Sequence, residues 1–361
     1  MDAFRIQGGS RLSGRWRIDG SKNAALPLMA ASLLCDEPIH LKGIPPLMDV
    51  RNMSRLLREL GVAVQTQGRD WTFQVTDPSR LHARYEIVKT MRASICTLGP
   101  MLARRGEARV SMPGGCAIGD RPVDLHLRGL EALGAQITLE GGDIVARAKQ
   151  LTGTTIFLGG PFGSTVLGTA NIMSAAGLAR GCTVIESAAC EPEIADLARL
   201  LNAMGARISG AGTPRITIEG VDELHGTEHE VMPDRIVAGT LAIATAITAV
   251  HGGALEFEQA AALVIGMDVG TTATALFATL GGSADTRRTG YSHVVYNLFT
   301  GLMAFVLLLP YVALWQWLSP DAIYQQAELA LVGFHSLFNL LGVLLVLPLA
   351  SQFARLMLWL V

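Results

Sequence analysis

Residues 56–64 read Leu-Leu-Arg-Glu-Leu-Gly-Val-Ala-Val, and two later stretches share their form: Leu130-Glu-Ala-Leu-Gly-Ala-Gln-Ile137 and Leu200-Leu-Asn-Ala-Met-Gly-Ala-Arg-Ile208. Their glycines, Gly61, Gly134 and Gly205, fall 73 and 71 residues apart. Each follows an amphipathic stretch, so each reads as a helix stop, where a positive φ costs glycine little. Beyond each glycine, alternating segments broken by turn residues (Val62 to Asp77, Ala135 to Ala148, Ala206 to Gly220) predict a hairpin. Ahead of each lie apolar, small-residue helices at Ser21 to Cys35, Val88 to Arg104 and Thr165 to Arg180. These lead into short strands at Pro38 to Leu41, Ala108 to Met112 and Thr183 to Glu186. A unit of helix, strand, helix and hairpin therefore occurs three times. Three such units can bury their Ala-rich helices against one another with the sheets outside. A plain βαβ array is the alternative, and a regular period argues against it.

A fourth unit opens at Pro233-Asp234-Arg235-Ile236, with a small-residue helix to Val250 and a strand-like run from Gly253 to Phe257. The chain then turns hydrophobic. No charged residue occurs from Thr289 to Pro320 or from Leu329 to Ala354, and either run exceeds the roughly 20 residues that cross a bilayer. Net charge is -2 over 361 residues, which gives no sign of a nucleic-acid partner. Five cysteines, all before residue 200, and no secretory pattern after Met1 predict a reduced, cytoplasmic front part.

Several motifs stand in order along the front part: Gly20-Ser-Lys22-Asn23-Ala-Ala-Leu-Pro, Lys89-Thr-Met-Arg92-Ala-Ser, Pro113-Gly-Gly-Cys116-Ala-Ile-Gly, Arg121-Pro-Val-Asp-Leu-His126, Glu191-Pro-Glu193-Ile and Pro233-Asp234-Arg235. In these residues the chain, from 1 to about 240, resembles the UDP-N-acetylglucosamine enolpyruvyl transferases of peptidoglycan synthesis. The resemblance implies an inside-out α/β barrel domain of three α-β-α-ββ repeats at 21–230, with residues 1–20 as strands of a second domain and 231–250 as a junction helix. It implies transfer of enolpyruvyl from phosphoenolpyruvate to the 3-hydroxyl of UDP-N-acetylglucosamine, by addition and elimination, with no cofactor or metal.

The family's roles fall on particular residues. Cys116, on a Gly-rich loop, is the thiol that protonates the methylene carbon and forms an adduct; a thiolate near a cation such as Arg121 would be reactive. Lys22, Arg92 and Arg121 are the cations for phosphate and carboxylate, Lys22 and Asn23 sitting where free helix N–H groups favour an anion. Arg121, Pro122, Val123, Asp124 and Leu125 line the uridine side, with Pro122 suited to a first helical position. Ser164, Thr165 and Val166 form a second strip, although the lysine the family often carries there is absent. Cys35, Cys96, Cys182 and Cys190 read as packing residues. Asp234 is open to two readings, a role in the chemistry or a helix N-terminal carboxylate; Glu191 and Glu193 read as ordering the linker. The family's second domain supplies the other wall of its cleft. With that wall missing, activity of this chain is expected to be impaired or absent.

The tail carries a shorter repeat: Ser292-His293-Val-Val-Tyr-Asn297 and Phe334-His335-Ser-Leu-Phe-Asn339, 42 residues apart. With Gly266-Met-Asp-Val-Gly270-Thr271-Thr272 and Arg287-Arg288, residues 251–361 resemble one half of a type II sodium/phosphate cotransporter. That implies an α-helical membrane segment with a broken or re-entrant stretch over Ala261 to Leu280. It makes Asp268, Thr271, Thr272, His293, Asn297, His335 and Asn339 candidates for ion transport, with Na+ as the ion. Helix–helix hydrogen bonding is the alternative for the His and Asn pairs. The positive-inside rule puts Arg287, Arg288 and Arg355 in the cytoplasm, with Ser292 to Trp317 crossing outward and Leu329 to Leu349 returning through the lipid bilayer. Three accounts of the junction stay open: a misjoined gene product, a fusion tethering the transferase to the inner membrane, and a transporter fragment with an inert appendage.

Overall fold

The computed structural model describes residues 15–112, 123–160, 163–241, 256–279, 284–318 and 326–360. Its contacts divide the chain into two compact units, one built on Asp19–Asp234 and the other on Arg235–Ala275 and Tyr291–Val361.

The first unit repeats one module, with a one-turn helix α3 (Tyr85–Val88) and a short strand pair, β9 (Gly159–Gly160) and β10 (Gly163–Ser164), in its connections. α1 (Lys22–Ala31), α4 (Leu98–Arg105, preceded by 3-10 turns at Arg92–Thr97) and α6 (Val166–Ala176) are its first helices. α1 and α6 are built mainly from Ala, Gly, Ser and apolar residues, every residue from Gly168 to Ala176 is buried, and α4 buries Leu98 to Leu102 before ending in Arg104 and Arg105. A helix apolar all round belongs in a core, and these three form the centre of the unit. The second helices, α2 (Met48–Glu59), α5 (Asp124–Ala132) and α7 (Pro192–Ala203), are amphipathic. α2 buries Val50, Met53, Leu56 and Leu57 along one stripe.

Each second helix stops at its glycine. Gly61, Gly134 and Gly205 all take positive φ (82°, 97° and 106°). Ala135 N–H donates to the Leu130 carbonyl and Ala206 N–H to the Leu201 carbonyl, closing the wide turn of a left-handed helix stop. Hairpins follow directly: β2–β3 (Val62–Gln67, Asp70–Val75), β6–β7 (Gln136–Glu140, Asp143–Arg147) and β12–β13 (Arg207–Ser209, Arg215–Glu219). Each hairpin packs antiparallel on the strand between the module's helices, β1 (Ile39–Lys42), β5 (Glu107–Ser111) or β11 (Cys182–Glu186).

One element was not foreseen. After each hairpin a short strand leaves its own sheet and adds, in parallel, to the edge of the next. β4 (His82–Ala83) joins β5, and β8 (Thr155–Phe157) joins β11. β14 (Glu228–Glu230) returns to β1, where His40 pairs with Glu228 and Lys42 with Glu230. The third module thus closes onto the first, and the three four-stranded sheets form a cycle around the helices. Two or three residues carry too little alternation to announce a strand.

The second unit is helical. α8 (Phe257–Thr279), α9 (Ala284–Leu318), α10 (Ala327–Val346) and α11 (Ala350–Leu360) are its long elements. Phe257, Ala260, Ile265, Leu308, Tyr311, Phe334 and Phe338 form its core. Two expectations are corrected here. Phe257 opens a helix instead of ending a strand, and α8 runs unbroken over Ala261 to Thr279, the described part of the stretch expected to be re-entrant. Small residues and threonines allow a break without demanding one. Residues 1–14 and 242–255 lie outside the described residues; of the expected N-terminal strands, Arg15 to Ile18 form none, and of the expected junction helix at 231–250, residues 235–241 are helical.

The stops set up a comparison. A Cβ on Gly61 would lie 1.9 Å from the Asp77 carbonyl oxygen, whereas one on Gly134 meets nothing within 4 Å. Gly134→Ala should therefore lose only the left-handed backbone cost of about 1–2 kcal/mol. Gly61→Ala should lose roughly 2 kcal/mol more through the clash. Urea unfolding of the two variants measures the difference, and equal losses would contradict it.

Candidate functional site

α1 starts under tight control. Ser21 Oγ caps the helix by accepting from Ala24 N–H (3.4 Å), while Ser21 N–H donates to the Met232 carbonyl (2.7 Å). Gly20 pairs with Pro233, and Asp234 N–H donates to the Asp19 carbonyl. This places the buried Asp234 carboxylate against the first turn of α1, accepting from Lys22 N–H at 3.4 Å. A carboxylate at a helix N-terminus is stabilised by the dipole, so Asp234 has the geometry of the structural reading, on α1. The Lys22 ammonium lies 3.1 Å from Asp49 in the first turn of α2, both side chains being more than a third exposed. Such a pair contributes at most ~1 kcal/mol, so a doubly charged phosphate can take the ammonium from Asp49. Asn23 is exposed beside it.

The linker that brings Asp234 here is itself fastened. Asp196 of α7 is buried and accepts from His229 Nε2 (3.0 Å), Met232 N–H (3.2 Å) and Arg199 Nη2 (2.7 Å). Burial alone would raise this carboxyl. The bonds from His229, Met232 and Arg199 outweigh it and hold Asp196 below the usual carboxylate range.

The other expected residues stand at or next to helix starts. Arg92 opens the 3-10 turns before α4. Val123 flanks α5, Asp124 is its first residue and is exposed, and Leu125 follows, half-buried. The expectation that Pro122 takes a first helical position falls on a residue outside the described set; the described helix α5 starts at Asp124. Thr165 caps α6 by accepting from Gly168 N–H (3.2 Å), between exposed Ser164 and half-buried Val166. Cys116, Arg121 and Pro122 lie outside the described residues.

His126, quoted in a motif but given no role, is buried in α5, with Nδ1 3.1 Å from Asn171 Nδ2 of α6. Burial first, then the nearby Arg92 charge, pushes this imidazole down to about 4. Asn171 itself escaped notice; its signal was a lone amide inside the apolar run Ala170 to Ala176. The remaining thiols divide. Cys35 and Cys96 are buried and pushed up to about 11 and about 12 by burial, and Cys190 to about 11. Cys182, expected to pack, is exposed at the start of β11.

In the second unit, three helices bring candidate residues together. His335 Nε2 lies 3.3 Å from Asp268 Oδ2, and Asn339 Nδ2 donates to the same oxygen at 3.4 Å. Asn297 Nδ2 donates to the Asp268 backbone carbonyl (3.4 Å) and Asn339 Nδ2 to that of His335 (3.0 Å). The bonds to Asp268 join helices, whereas the Asn339–His335 bond lies within α10. His293 is exposed, and the side chains of Thr271 and Thr272 lie outside the described set. Among the described residues no group of three His, Cys, Asp or Glu side chains is arranged to hold a metal.

Three cyclically linked modules with small-residue helices inside define an inside-out α/β unit of the enolpyruvyl-transferase type. Residues 6–289 match the family model for EPSP synthase (3-phosphoshikimate 1-carboxyvinyltransferase), and the chain belongs to that family. The match runs past the limit near residue 240 drawn from the motifs. Over 250 residues, 69% of this chain and 59% of the relative, the chain is 52% identical to a UDP-N-acetylglucosamine 1-carboxyvinyltransferase of Methylacidiphilum infernorum (isolate V4). It thus spans about three-fifths of that relative's length. Among solved structures it is similar in fold to the enolpyruvyl transferase NikO from Streptomyces tendae (TM-score 0.58, 23% identity, 66% of this chain and 56% of that one). It is also similar to an EPSP synthase from Acinetobacter baumannii (TM-score 0.53, 19% identity, 65% and 53%).

The depressed His126 sets a pH dependence. Between about pH 6.5 and pH 4 the unfolded chain binds a proton that the folded chain refuses, so stability must fall as pH falls through this window. The loss by pH 4 is about 3 kcal/mol. Urea midpoints from pH 7 to pH 4 should decline in the wild type and decline less in His126→Gln; parallel curves would contradict the assignment.

Proposed function

We propose that the first unit binds phosphoenolpyruvate and UDP-N-acetylglucosamine and carries residues for enolpyruvyl transfer to the sugar 3-hydroxyl, with release of phosphate, in peptidoglycan synthesis. The observation that carries this reading is the 52% identity over 250 residues to a transferase of that specificity. In this reading Lys22 and Arg92 bind the phosphate and carboxylate with Arg121, and Asn23 meets the substrates beside Lys22. Residues 121–125 and 164–166 hold the nucleotide, and the Cys116 thiol protonates the methylene carbon. The exposed Lys22–Asp49 pair supports a phosphate role, since the ammonium is close to solvent and weakly held.

The alignment covers 59% of the relative, and we further propose that turnover by the aligned part on its own is slow or absent while nucleotide-sugar binding persists. Phosphate release from phosphoenolpyruvate is the test. Release that requires UDP-N-acetylglucosamine and vanishes in Cys116→Ala is the result expected of any turnover. Release without the nucleotide sugar, or persisting in Cys116→Ala, would contradict the assignment.

For the tail we propose a bilayer-embedded anchor with the first unit on the cytoplasmic side. Helical residues 290–318 and 329–360 are long and apolar enough to cross a membrane. Leu302, Phe305, Val306, Leu309, Trp317 and Trp359 stand 65–80% exposed, an apolar surface that water would not stabilise. The full chain should float with lipid vesicles after alkaline carbonate washing; its release into the wash would remove the anchor. Sodium-driven phosphate uptake is the activity the tail's resemblance implies, supported by the convergence on Asp268. Vesicles without sodium-dependent uptake would dismiss it.

A further inference from the structure

Asn171 has no exposed surface, and its amide reaches three other elements. Its Oδ1 accepts from Gly99 N–H at the start of α4 (2.6 Å). Its Nδ2 donates to the Ile95 carbonyl in the 3-10 turns (3.1 Å) and to His126 Nδ1 in α5 (3.1 Å). Both amide hydrogens are used, so His126 must accept at Nδ1 and carry its proton on Nε2. With the imidazole pushed down to about 4, it remains an acceptor at neutral pH. The Gly99 bond also satisfies one of the N–H groups that the start of α4 leaves without a partner in its own helix.

The elements joined this way are the ones that carry the expected binding strips. Ile95 lies three residues after Arg92. His126 directly follows Asp124 and Leu125. Thr165 and Val166 begin the helix in which Asn171 sits. We propose that Asn171 is a positioning residue for the nucleotide-sugar site, holding the Asp124 and Thr165 strips in one register with each other and with Arg92 on the phosphoenolpyruvate side; the inference rests on the reading under Proposed function. Apolar packing could fill the same volume but not the same role. A Cβ on Gly99 would fall 2.4 Å from the Asn171 carbonyl oxygen, so α4 and α6 meet backbone to backbone there. At such a contact only directional bonds choose one relative setting. Removing the amide strands Gly99 N–H, the Ile95 carbonyl and His126 Nδ1 in a buried place.

Asn171→Asp keeps the size and the acceptor for Gly99 while losing both donors. The experiment uses the full chain with 15N-labelled histidine, UDP-N-acetylglucosamine as the probe and circular dichroism as the fold control. In the wild type, His126 should show the Nε2–H tautomer and stay neutral to about pH 4, and the nucleotide sugar should shift its ring resonances although the ring is buried. In the folded variant the ring should take up a proton at higher pH, and affinity for the nucleotide sugar should fall about tenfold. Should the variant not fold, the wild-type spectra decide. An Nδ1–H tautomer, or ring resonances unmoved at saturating ligand, overturns the proposal. Wild-type affinity in the folded variant removes the role of Asn171 and leaves the functional reading standing. A wild type that does not bind the nucleotide sugar removes both.

Discussion

Backbone contact between α4 and α6 is the constraint on which the first unit depends. Helices approach that closely only where one side chain is hydrogen, and Gly99 supplies that point against Asn171. Large side chains at the centre would force the helices apart and draw the sheets with them. The Ala, Gly and Ser content of α1 and α6 is thus a geometric requirement and not merely a mark of low polarity. Apolar burial drives the collapse, and the bonds of Asn171 select among the similar packings that collapse allows.

The cycle of sheets does the remaining ordering. Each hairpin hands a short strand to the next sheet, and β14 closes the ring by returning to β1. That closure delivers Met232, Pro233 and Asp234 to the start of α1, where the buried Asp196 holds the linker through Met232. The beginning and the end of the unit therefore meet at Lys22, the lysine proposed to bind phosphoenolpyruvate. The contacts that close the fold are also those that place the start of α1.

The three-module plan was legible because its punctuation is local: a glycine after an amphipathic helix has a physical cause inside a window of ten residues. The parallel strands β4, β8 and β14 were not, since two or three residues carry no usable periodicity and pair only through long-range contact. Site residues divide along the same line. Lys22, Arg92 and Asp124 were named from motifs, and the structure sets them at helix starts. Asp49, which holds the Lys22 ammonium, and Asn171, which joins three elements, were invisible because their partners are 27 residues or more away in sequence. Reading a re-entrant segment into α8 failed because small residues permit a break that nothing in the helix enforces.

The central claim is that two nucleotide-sugar strips and the Arg92 segment are coupled through one shared buried network. Deuterium exchange of the full chain, with and without UDP-N-acetylglucosamine, tests it most directly. The account predicts that amides in 92–99, 123–130 and 163–171 gain protection together and over the same range of ligand concentration. Protection confined to one strip, or none at saturating ligand, would contradict it.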